Sequence, residues 1–108
     1  MARIIHLADL TRGEVHNLSG HDRGLKAREM FSVAEMDSLP EEVVVVVPDD
    51  LDAISNSFFQ GMFSDSVKQF GSRESFFDHY RFEASAPIIA QVQRGIDSVL
   101  TRRDLAFA

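Results

Sequence analysis

The sequence predicts a single α/β domain with a mostly parallel sheet of about four strands and three helices. Three observations carry this expectation. The run Val43-Val44-Val45-Val46-Val47 is too short for a helix and β-branched throughout, which marks a strand in the interior of a sheet. The next segment places Phe59, Met62, Phe63, Val67 and Phe70 at helical spacing and stops at Gly71, where a left-handed C-cap residue is expected. Strand and helix patterns then alternate through the second half, which favours βαβ units with parallel pairing.

In chain order, residues 2–8 form a first apolar strand. The stretch Asp9 to Gly20 holds Thr11, Gly13, Asn17 and Ser19 and reads as a loop or hairpin, with a short strand over Glu14 to Asn17. Between Asp22, a candidate N-cap, and Met36, the residues Ala27, Met30, Phe31 and Ala34 recur at steps of three and four. That spacing predicts one helix with those four on its buried face. After Pro40 comes the valine strand, whose apolar character on both sides calls for helix cover on both faces of the sheet. The turn Pro48-Asp49-Asp50 leads to the Phe-rich helix, residues 79–83 form another strand, and Ser85 caps a last helix. Pro87 is tolerated in its first turn, and Ile88, Val92, Ile96 and Val99 make its buried face.

With 108 residues the chain can bury one core, so 1–108 is treated as one domain. Its 44% hydrophobic and 26% charged composition lies far from the disordered regime. The net charge of −6 disfavours nucleic acid and anionic membranes as partners. The absence of cysteine excludes disulfides, thiolate catalysis and cysteine-bound metal centres. The longest apolar run is the five valines, short of the roughly 20 residues that span a bilayer. Met1 to His6 lose their apolar pattern too early for a secretory signal, and a cytoplasmic protein is expected.

The functional candidate is the junction from the valine strand into the Phe-rich helix. Ligands of open α/β sheets gather at strand carboxyl ends, where helix N-termini present unpaired amides and partial positive charge. There Ser55, Asn56 and Ser57 each offer a capping oxygen, and Phe58 is expected to project beside Ser57 as an apolar contact for a partner. Asp49, Asp50 and Asp52 set the local charge.

Gly24-Leu25-Lys26-Ala27-Arg28, the valine strand, Ile54-Ser55-Asn56-Ser57-Phe58-Phe59, Gly71 and Tyr80-Arg81-Phe82 together resemble the STAS-like domain family of uncharacterised bacterial proteins. The resemblance covers about residues 20–102 and is most specific at the strand followed by Ile-Ser-Asn-Ser-Phe. It implies a STAS-like fold related to the anti-sigma factor antagonists. Those proteins bind a histidine-kinase-like ATPase and are released by phosphorylation of a serine at a helix start. By position that serine falls on Asn56 or Ser57. The family's Asp-Ser-Ser-Gly pattern stands here as Ser55-Asn56-Ser57-Phe58, without the aspartate and the glycine.

Other constellations point less far. The three aspartates suit a hard cation, but no coordination motif supports a metal. His6, His16, His21 and His79 show no i, i+4 pair, and nucleophile-elbow, P-loop and dinucleotide patterns are missing, so neither an enzyme nor a cofactor is expected. Arg23, Lys26 and Arg28 form a second, basic cluster near a helix start, where cations are mildly unfavourable and an acidic partner or phosphate would explain them. Arg102 and Arg103 complement a helix C-terminus. The sequence reading is thus a non-enzymatic regulatory interaction module with a kinase-like ATPase or another signalling protein as partner. Its alternatives are a small-ligand or metal-binding domain using the aspartates, and a self-assembling unit that pairs through its first strand or the tail Asp104-Leu105-Ala106-Phe107-Ala108.

Overall fold

The computed structural model describes the backbone of residues 3–105 and the side chains of residues 3–101. The tail 106–108 and the side chains of Arg102 and Arg103 lie outside this range. The element order is β1 (Arg3–His6), α1 (Ala8–Thr11), β2 (Asn17–Leu18), α2 (His21–Met30), α3 (Val33–Asp37), β3 (Val43–Val46), β4 (Ala53–Ile54), α4 (Asn56–Phe70), α5 (Arg73–His79), β5 (Tyr80–Glu83) and α6 (Ala86–Leu105). Every described strand pair is parallel. β3 lies between β1 and β5, with Ile5 and Phe82 both opposite Val45 in register, while β2 and β4 form a separate two-stranded ladder.

The α/β class and the parallel pairing match the sequence expectation, whereas the count of elements does not. Among the described residues there are six helices, and the strands divide into sets of three and two. Gly71 takes the left-handed C-cap of α4 as expected, and Ile88, Val92, Ile96 and Val99 are buried on α6. The single helix expected from Asp22 to Met36 is broken, because Ser32 adopts a left-handed conformation between α2 and α3. Its start is Gly20 and not Asp22, and no side chain caps it. The short strand expected at Glu14 to Asn17 begins instead at Asn17.

Cover of the sheet also differs from the expectation. One face carries Ile5, Val43, Val45, Tyr80 and Phe82, and α4 lies against it through Phe63, whose ring meets those of Tyr80 and Phe82. α2, α3, α5 and α6 gather around α4. On the opposite face Ile4 is 53% exposed, and His6, Arg81 and Glu83 are exposed as well. Arg81 there pairs with Glu42 and Glu83. Val44 is nevertheless buried, so the valine run reflects the burial of a central strand without a helix on each face.

The contact between α2 and α4 is made by backbone. A Cβ on Gly24 would run into the Phe58 carbonyl oxygen and lie 2.9 Å from the Gly61 Cα, and a Cβ on Gly61 would run into the His21 carbonyl oxygen. Neither position tolerates a side chain without separation of the helices. This is why the buried face of α2 is Gly24 and Ala27, while Met30 and Ala34 are exposed, contrary to the apolar spacing.

One turn beyond Gly24 the crossing is secured by polar groups. The Arg28 guanidinium donates to the Met62 carbonyl at 2.9 Å, to Ser66 Oγ at 2.9 Å and to the Asp37 carboxylate at 3.0 Å. Asp37 also accepts from Ser66 at 2.9 Å and from the Tyr80 hydroxyl at 2.5 Å. α2, α3, α4 and β5 therefore share one carboxylate, both of whose oxygens accept hydrogen bonds, as burial of an ionic group requires. Burial, with donation to Asp37, pushes the Tyr80 phenol well above the ordinary tyrosine range.

Two outcomes follow from this packing. Helix propensity alone would make Gly24→Ala or Gly61→Ala stabilising by about 1 kcal/mol. The backbone contact reverses that sign, and each substitution is expected to cost about 3 kcal/mol in urea unfolding, whereas Leu25→Ala on the exposed side of α2 changes stability by under about 1 kcal/mol. Tyr80 is the single tyrosine, so its titration is directly visible. The folded chain keeps the phenol proton above pH of about 10, where the unfolded chain loses it, so stability falls with rising pH there by up to about 1.4 kcal/mol per unit. Phenolate absorbance should appear only with alkaline unfolding; its appearance in the native chain near pH of about 10 would contradict the burial.

Candidate functional site

The parallel ladder of β2 and β4 brings the loop after β1 to the entry of α4. The Asp52 amide donates to the His16 carbonyl at 2.7 Å and the Ser55 amide to the Leu18 carbonyl at 2.8 Å. Two-residue strands surrounded by Asp, Ser and Gly carry too little apolar alternation to be visible in sequence, and β4 had no counterpart in the expectation.

At the end of β4, Ser55 is the N-cap of α4: its backbone is extended and its Oγ accepts from the Phe58 amide at 3.1 Å. Ser57 Oγ lies 3.1 Å from Ser55 Oγ on the exposed side of the first turn. Asn56 is exposed and reaches Ser98 of α6 at 3.3 Å, a hydroxyl that Gln60 also contacts at 3.1 Å. Of the sequence candidates at the junction, Ser55 therefore has a capping role, while Asn56 and Ser57 face outward.

Phe58 is corrected: it is only 2% exposed and does not project beside Ser57. At the third position of α4 it turns inward beneath α2, where its carbonyl meets Gly24. Asp49, Asp50 and Asp52 are exposed in the loop before β4, and the Asp50 carbonyl meets His16 Nδ1 at 2.9 Å. Among the described residues no three His, Asp or Glu side chains converge as a metal site, so the aspartates have no chelating geometry.

The basic cluster divides. Arg28 turns into the core and joins Asp37, so the expectation of an exposed third cation is corrected. Arg23 and Lys26 remain exposed, and among the described residues neither side chain has an ion pair or hydrogen bond. They stand over a cleft of about 230 Å³ whose other walls are Leu10, Val15, Leu18 and Phe58. The structure thus joins two regions that the sequence left apart, the junction residue Phe58 and the cations Arg23 and Lys26. Leu10, Val15 and Leu18 are not among the sequence candidates, because Asp9 to Gly20 reads as a loop or hairpin with a short strand over Glu14 to Asn17. Their signal was three aliphatic residues among Asp, Thr, Glu, Asn and Ser, where a solvated loop needs none.

No family model, curated protein or solved structure matches this chain. Among the described residues, no helix is long and apolar enough to cross a membrane.

The first turn of α4 separates cap from surface in a measurable way. Ser55→Ala is expected to cost about 1 kcal/mol in thermal or urea unfolding, because the Phe58 amide loses its acceptor. Ser57→Ala should change stability by less than about 0.5 kcal/mol.

Proposed function

We propose that this chain is a non-enzymatic regulatory interaction module that meets a signalling protein on the strand-end face formed by the loop 49–52 and the first turn of α4. The observation that carries this reading is Ser57. Its hydroxyl is exposed one residue past Asn56, in a turn whose cap is already supplied by Ser55. A charge placed there leaves the Phe58 amide its Ser55 acceptor and alters only the 3.1 Å hydroxyl contact between Ser57 and Ser55.

Phosphorylation would add about −1.5 to −2 charge at a helix N-terminus, where amides and dipole favour it. It would join Asp49, Asp50 and Asp52 in one acidic surface and oppose an acidic or apolar partner. The STAS-like resemblance of residues 20–102 supports the same position and implies a histidine-kinase-like ATPase as the partner. The inward turn of Phe58 restricts the contact surface to Asn56, Ser57 and the acidic loop.

The test is a binding titration against a histidine-kinase-like ATPase encoded in the same genome, preferably beside this gene. Ser57→Asp is expected to weaken binding more than tenfold while the melting temperature stays within a few degrees, since an acidic residue in a first turn is neutral to favourable by about 0.3–1 kcal/mol. Equal binding by the variant would contradict the switch, and no binding by the unmodified chain would contradict that partner.

A further inference from the structure

The cleft between α1, β2, α2 and the start of α4 has a composition that a solvated surface does not need. Four of its six walls are apolar, and two of these, Leu18 and Phe58, are almost wholly buried. The remaining two are the cations Arg23 and Lys26, and among the described residues no carboxylate lines it. Arg23 sits in the first turn of α2, where the helix dipole disfavours positive charge, Lys26 follows near its middle, and neither side chain is paired among the described residues. In a chain of net charge −6, acidic partners for them would be easy to supply.

We infer that this cleft is a binding site for a small amphipathic monocarboxylate. The hydrocarbon part lies against Leu10, Val15, Leu18 and Phe58, and the carboxylate meets Arg23 and Lys26. The charge selects an anion, while the apolar majority selects against inorganic phosphate and against a fully hydrophilic acid. The volume of about 230 Å³ falls below the 300–1,000 Å³ usual for drug-sized ligands, which fits a short aliphatic or single-ring acid. The site is independent of a protein partner at Ser57, and either can exist without the other.

The test uses the full chain and a series of butanoate, hexanoate and octanoate, followed by amide chemical-shift titration. Affinity is expected to rise up to about fourfold for each methylene buried, until the cleft is filled. Hexanoate should bind at least tenfold more tightly than hexanamide, and the largest shifts should fall at Leu10, Val15, Leu18, Arg23, Lys26 and Phe58. The double variant Arg23→Gln/Lys26→Gln changes only exposed side chains. It should abolish the preference for hexanoate over hexanamide while leaving hexanamide affinity within about twofold. Val15→Trp, at the half-exposed rim, should lower the affinity for both.

Equal binding of acid and amide by the unmodified chain would overturn the inference, as would an absent chain-length dependence or shifts centred elsewhere. An acetylated Leu-Asp peptide serves as the competing occupant. If it shifts the same amides while hexanoate and octanoate do not, the cleft takes a partner's side chain and the inference fails. If the double variant is less stable than the unmodified chain, Lys26→Gln alone and the chain-length series decide the matter.

Discussion

The backbone contact of Gly24 with Gly61 constrains most of what surrounds it. Because neither residue has a Cβ, α2 and α4 meet at carbonyl and α-carbon, and the crossing point is fixed by hard contacts. The Phe58 carbonyl is one of them, so the start of α4 is held against α2 at the position of Gly24. Arg23, next to Gly24, and Lys26 thereby line one cleft with Phe58. One helical turn beyond Gly24, Arg28 reaches the Met62 carbonyl and Ser66. A single crossing thus positions a surface cleft on one side and a buried polar cluster on the other.

The two sides use cations in opposite ways. Arg28 is largely withdrawn from water and matched by the Asp37 carboxylate, which in turn accepts hydrogen bonds from the Ser66 and Tyr80 hydroxyls. Removing one member of such a cluster leaves the others buried without partners, so it acts chiefly to select one arrangement of α2, α3, α4 and β5. Arg23 and Lys26 lie on the same helix with no such match and remain exposed. Sequence position alone places these three residues together, and the helix face separates them by function.

What could be read from the sequence follows from how each element is stabilised. β3, α4 and α6 are built from long apolar patterns, and Val43, Phe59, Phe63, Val67, Ile88 and Ile96 all lie in the core as their spacing indicated. α2 defeated the same logic, because its packing face is Gly24, Ala27 and the stem of Arg28, and the apolar Met30 is left exposed. Small residues at a close crossing carry little hydrophobic signal. α5 went unseen because it has seven residues and depends on Ser72, whose Oγ accepts from the Ser75 amide, for its start. Ser55 was legible as a helix cap, but β4, which stands between the valine strand and α4 and pairs with β2, was not, and neither was the inward direction of Phe58, since it is decided by α2 lying over it.

The cleft and the buried polar cluster both depend on the α2–α4 crossing, and proton nuclear Overhauser contacts between the two glycines report it directly. The Gly24 bond direction that would carry a Cβ points to within 2.9 Å of the Gly61 Cα. A strong contact between the Gly24 and Gly61 α-protons in the full chain is the predicted result. Its absence, with Gly24 instead contacting a side chain of α4, would contradict the crossing and the cleft built on it.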